Sequence, residues 1–218
     1  TKYTYAVARI RALEVSLFSD AFIEQLLACK SADQVLQSVM EKGWGDMDSG
    51  GDAEAVLKCE EEKAWAVIRD VAPDMSVFDV LSYPKLYHNL KAAVKEVSTG
   101  IKNPAMFYDD CPIPGEEMYR IIENREFSRL PGNMSRTAQE ALDTLLHTGD
   151  GQLCDIIVDR AALDAIEEAG KKSGEPIIEN YADTTVAIAD IKIAVRSQKT
   201  GKSADFMRSA MAECESLS

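Results

Sequence analysis

Thr200-Gly201-Lys202-Ser203 carries the glycine, lysine and hydroxyl run with which a phosphate-binding loop closes. In such a loop, backbone amides converge on a phosphate, which requires a glycine five positions before Gly201 and a strand ahead of it. Arg196 stands at that position within an amphipathic helical pattern, so nucleotide binding is not expected. Asp46-Met47-Asp48-Ser49-Gly50-Gly51-Asp52 opens like a calcium loop, in which carboxylates at fixed steps ligate the ion and a bidentate Glu closes the cage. Counted from Asp46, the closing position is Leu57, and counted from Asp48 it is Cys59, so the reading is a solvated acidic loop. His88 and His147 form no paired motif and have no cysteine at metal-ligand spacing. They read as surface or capping histidines. Asp155 and Asp159 stand one helical turn apart, which sets two like charges on one face at small cost. No residue is assigned a catalytic, cofactor-binding or metal-binding role, and no cofactor is expected.

The elements around these residues are helical. The chain has 218 residues, of which 46% are hydrophobic, 28% charged and 7% aromatic, enough to bury a substantial core. The net charge of −13 argues against binding a phosphate backbone, so no nucleic-acid partner is expected. No apolar run is long enough to span a membrane, and nothing at the start reads as a signal peptide. The five cysteines (Cys29, Cys59, Cys111, Cys154, Cys214) are dispersed and odd in number. They read as reduced thiols of a cytosolic protein, mostly small core residues. Apolar residues recur at helical spacing over 53–72 and 137–146, and hairpin signals are scarce. Ser31 and Gln34 fit a capping box, and Pro114 with Glu116 and Glu117 fits a helix start. Gly100 and Gly201 each follow a basic helix that a C-terminal glycine would stop. Residues 43–52 and 102–115 read as linkers. The expectation is an all-α protein.

Two of those helices repeat. Asn89-Leu90-Lys91-Ala92-Ala93-Val94-Lys95-Glu96-Val97-Ser98-Thr99-Gly100 aligns with Asp190-Ile191-Lys192-Ile193-Ala194-Val195-Arg196-Ser197-Gln198-Lys199-Thr200-Gly201 at an offset of 101. That distance suits a duplicated small helical domain, with a boundary near residue 105: a first domain over 1–105 and a second over 106–218. Both copies are basic inside an acidic chain. Residues 150–183 sum to −6, whereas 184–218 sum to +1. Two readings of the basic positions Lys91, Lys95, Lys192 and Arg196 follow. They pair with neighbouring acidic helices, or they face an acidic partner and steer its docking.

An ordered series of segments resembles a known family. Tyr5-Ala6-Val7-Ala8-Arg9-Ile10-Arg11-Ala12-Leu13-Glu14 is similar to the first helix of the C-type subunit of the V/A-type ATP synthases, a family that includes the d-type subunit of eukaryotic V-ATPases. The likeness continues through Phe22-Ile23-Glu24-Gln25-Leu26-Leu27, Lys42-Gly43-Trp44-Gly45, Phe78-Asp79-Val80-Leu81 and His88-Asn89-Leu90-Lys91. It runs on through Thr148-Gly149-Asp150-Gly151-Gln152, Asp159-Arg160-Ala161-Ala162-Leu163 and Asp190 to Arg196. The resemblance implies repeated small helical-bundle domains around a pseudo-threefold axis, forming a funnel. It implies a non-catalytic central-stalk protein that sits on the membrane rotor ring, receives the central shaft, and so couples ion translocation to the ATP-handling head. A third family domain is expected to be absent, as in a fragment. The protein would be cytoplasmic and peripheral to the membrane through its complex. The alternative is a free-standing helical adaptor for another helical partner.

Overall fold

The computed structural model describes residues 3–217. As expected, these residues form α-helices, short 3-10 turns and connecting loops, with no strand among them. The helices are α1 (Thr4–Glu14), α2 (Asp20–Leu27), α3 (Ala32–Glu41), α4 (Ala53–Val71), α5 (Asp79–Thr99), α6 (Gly115–Glu123), α7 (Met134–Thr148), α8 (Gly151–Ser173), α9 (Pro176–Lys199) and α10 (Ala204–Ala210). Local side chains cap half of these α-helix starts. Ser19, Asp52, Asp150 and Ser203 each accept a hydrogen bond from a first-turn amide, satisfying donors that the helix leaves open. Ser31 accepts from Gln34 N at 3.3 Å, but the Gln34 amide oxygen turns to Lys30 N at 2.9 Å. The expected capping box therefore closes one residue early. Gly100 and Gly201 adopt left-handed φ of 70° and 67° just beyond α5 and α9, as their sequence positions suggest.

Packing divides the chain into two compact units, Thr1–Met75 and Ser76–Ser218. Residue 105 lies inside the second, because α5 packs chiefly on α6, α7 and α8, which follow it. The first unit has a thin apolar centre. Among its described residues only Phe22 and Val56 are buried hydrophobics. Phe18 stacks on Trp44 and meets Phe22 edge-on, with ring centroids 4.7 Å apart in both pairs. The glycine-rich 43–52 stretch is pinned rather than loose. Gly45 N donates to Glu60 Oε1 at 2.8 Å, and Lys63 Nζ donates to the carbonyls of Gly43 and Gly45.

The second unit is built around α5. Leu90, Ala93 and Val94 have no exposed surface, and with Leu86, Met118, Ile122, Leu142 and Val158 they form the main cluster. A smaller cluster joins Val80 to Ile166, Ala182, Val186 and Ala212. Cys154 is the one fully buried cysteine among the described residues; the other four are only partly covered, contrary to the core role expected for most of them. Burial pushes the Cys154 thiol up to about 11, so it stays protonated and inert at neutral pH.

Side chains of α5 also hold the proline-rich 102–115 stretch. Asn89 Nδ2 donates to the carbonyls of Tyr108 (2.7 Å) and Ile113 (3.2 Å), while its Oδ1 accepts from Tyr108 N (2.9 Å). His88 Nε2 meets Met106 O at 2.8 Å, Glu96 accepts from Asn103 N, and Lys85 pairs with Asp110. Both copies of the repeated sequence lie in the second unit. Asp190, the counterpart of Asn89, is also buried, and its Oδ1 accepts from Ala212 N at 3.2 Å. In each copy, a buried polar residue near the middle of the helix ties down the chain that follows it.

Two outcomes follow. Gly170 of α8 faces α9 so closely that an added Cβ would lie 2.3 Å from Ala182 Cβ. In an exposed helix, Gly→Ala would stabilise by about 1 kcal/mol. Here Gly170→Ala is expected to destabilise by roughly 1–3 kcal/mol, since two backbones must separate; urea unfolding gives the sign. Burial holds the Asp190 carboxyl above the ordinary value of 3.8, opposed by the Ala212 amide and by Arg160. An acid raised on folding loses stability as pH climbs from its unfolded value through its folded one. Asp190→Asn keeps the acceptor for Ala212 N, so it should raise the melting temperature at pH 7 and much less at pH 4. An equal gain at both pH values would refute this account of Asp190.

Candidate interaction groove

Helices α5, α8, α9 and α10 line a groove of about 670 Å³. Its wall combines apolar side chains, among them Tyr87, Ile156, Leu163, Ile193 and Phe206, with the charged groups of Lys91, Asp155, Asp159, Lys192, Arg196 and Lys202. Apolar surface rimmed by charge suits a protein helix or other amphipathic partner.

The four basic positions singled out in the sequence separate into two kinds. On α5, Lys95 Nζ lies 2.6 Å from Asp155 Oδ1, and Lys91 Nζ lies 2.7 Å from Asp159 Oδ1. Stepping four residues forward on α5 steps four back on α8, so the two helices run antiparallel and the charges form a two-rung ladder. The aspartates that looked like a like-charge cost along one helix are each answered from the next. Lys192 and Arg196 on α9 are exposed and have no ion-pair partner among the described residues. Lys91, Lys192 and Arg196 share the groove; Lys95 does not line it.

Residues not assigned to partner contact from the sequence complete the site. Lys202 Nζ donates to Gln152 Oε1 at 2.8 Å and sits 5.0 Å from the centre of the Phe206 ring, joining α10 to the start of α8. Tyr87 lies in the groove wall, and burial pushes its hydroxyl up to about 12. The signal for the ladder was present, since 91/95 and 155/159 share one spacing, but register across 60 residues of chain is not local information.

The motifs set aside in the sequence resolve into helix ends. Thr200 follows the last turn of α9, Lys202 N donates to Ser197 O, and Ser203 caps α10. Asp46 Oδ1 accepts from Asp48 N, Ser49 N and Ser49 Oγ, closing a 3-10 turn, and the Ser49 hydroxyl lowers its pKa. Among the described residues no group of three or more His, Cys, Asp or Glu is placed to hold a metal ion. His147 Nδ1 lies 2.6 Å from Asp143 O near the end of α7, the local role expected of it.

The sequence pattern of one family, ATP synthase (C/AC39) subunit, matches residues 6–218. No curated protein and no solved structure matches the chain.

The ladder permits a direct measurement. Its four side chains are 23–57% exposed, so each rung should contribute about 0.2–1 kcal/mol. A double-mutant cycle on Lys95→Met and Asp155→Asn should give a coupling in that range that fades at high salt. A coupling of zero at low salt would mean that the rung is geometric only.

Proposed function

The chain belongs to the ATP synthase (C/AC39) subunit family, and on that premise we propose that it is a non-catalytic central-stalk component of a V/A-type ATP synthase. In this reading it is a socket between the membrane rotor ring and the central shaft, and it passes torque during proton or sodium translocation. The match over residues 6–218 carries the reading, since it spans both compact units. A torque-bearing socket needs stiffness and a complementary surface rather than a nucleophile. Long helices in close contact, such as α8 against α9 at Gly170, suit that need.

The groove is the part of the surface we assign to partner contact. Lys91 and Lys95 are engaged by α8, so the steering charges are Lys192 and Arg196. Contacts with polar character suit a joint that assembles and disassembles. No helix among the described residues is long and apolar enough to cross a membrane, so attachment to the membrane would run through the ring. We place the protein on the cytoplasmic side, with a funnel of helical domains around a pseudo-threefold axis as the architecture of the family.

Size-exclusion chromatography of the chain with purified central-shaft proteins, at low and moderate salt, tests the assignment. Stoichiometric co-elution that weakens as salt rises is the expected result. A well-folded chain that elutes alone at both salts would overturn it and leave the free-standing adaptor.

A further inference from the structure

The repeat offset of 101 pairs positions of α5 with positions of α9, and three apolar pairs differ sharply in burial. Tyr87, Leu90 and Val94 are 5%, 0% and 0% exposed, whereas Ile188, Ile191 and Val195 are 47%, 52% and 49% exposed. The apolar face that α5 buries in the core is the face that α9 leaves open. The exposed stripe continues through Thr184 and Tyr181 to Ile177, in steps of four and three residues. That is the spacing of a helix-packing seam, and it runs for about 27 Å at 1.5 Å per residue.

The charges differ in the same way. Beside the α5 face, Lys91 and Lys95 receive Asp159 and Asp155 of α8. Beside the α9 face, the equivalent Lys192 and Arg196 receive no carboxylate among the described residues. At about 100° per residue, Lys192, Arg196 and Lys199 are the charged residues of α9 that flank the stripe, and all three are basic.

We propose that α9 is the docking surface for a partner helix that repeats what α8 gives to α5: an apolar seam flanked by two carboxylates one turn apart. The partner runs antiparallel to α9, covers Ile188, Ile191 and Val195, and closes a second two-rung ladder on Lys192 and Arg196. The inference rests on the stalk reading only for the natural source of that helix. The surface itself rests on the mismatch between the two copies.

The test uses the 218-residue chain and synthetic peptides. Three fluorescein-labelled helices of about 21 residues share one apolar seam at heptad spacing and differ only at two flanking positions, i and i+4. Those positions hold Asp, Asn or Lys. Titrations followed by anisotropy should show saturable binding of the Asp peptide, about tenfold tighter than the Lys peptide at low salt, with Asn between them. Lys192→Glu with Arg196→Glu should reverse that order. Ile188→Gln with Ile191→Gln should abolish binding of all three; both positions are exposed, so the helical circular dichroism should persist. Absence of saturable binding overturns the proposal, as does equal affinity for the three peptides. So does a dimer by sedimentation that Ile191→Gln dissolves, since the occupant is then a second copy. Co-elution with the shaft proteins is read separately, so either result can fail while the other stands.

Discussion

The second unit depends on the burial of α5. Ala92, Ala93 and Val94 are consecutive and all buried, which no helix with a single covered face can achieve. A helix enclosed on several sides must have every polar group it carries answered, because an unsatisfied buried amide or carboxylate costs about 1–3 kcal/mol. Asn89 and Glu96 meet that requirement by bonding to backbone of the 102–115 stretch. The same bonds give an irregular, proline-bearing segment a fixed course that its own sequence could not supply. On the helix rim, where burial is partial, Lys91 and Lys95 pair with Asp159 and Asp155 and so set the register of α8. Core, loop and helix register thus derive from one element.

What the sequence reveals of this fold is mostly what local chemistry decides. Ser31 as a cap, Gly100 and Gly201 as stops, and the acids at the head of α6 depend on a few neighbouring residues, so they are legible. The offset of 101 is legible too, because it is a property of the text. What escapes is whatever requires knowing which helix lies beside which. Asp155 and Asp159 look like a small repulsion until Lys95 and Lys91 arrive from an antiparallel neighbour. Cys29, Cys59, Cys111 and Cys214 have core-like chemistry, yet only Cys154 falls where helices converge. The division at Met75/Ser76 is equally hidden. The stretches that look most like linkers, 43–52 and 102–115, are both tethered by side chains from the helix that follows or precedes them.

The repeat and the packing therefore carry different information. Alignment makes α5 and α9 equivalents, and their shared features are real: a buried polar residue near the middle, a left-handed glycine beyond the end, two basic residues one turn apart. Their surroundings are not equivalent. One copy of the pattern is spent on the interior and the other is presented outward. Two helices can thus share a sequence pattern and differ in its use, provided that some other helix takes the place left open. For a chain whose family membership points to a rotary assembly, an interior pattern on the outside marks where it joins something larger.

The α5–α8 ladder also has a consequence in time. Lys91 and Asp159 are 68 residues apart along the chain. At synthesis rates of about 5–20 residues per second, α5 leaves the ribosome roughly 3–14 s before the residues that answer its lysines. During that interval Leu90 and Val94 have no α8 to cover them. The nascent chain therefore passes through a stage in which its future centre is its most adhesive surface, and its yield in a cell depends on how well that stage is chaperoned.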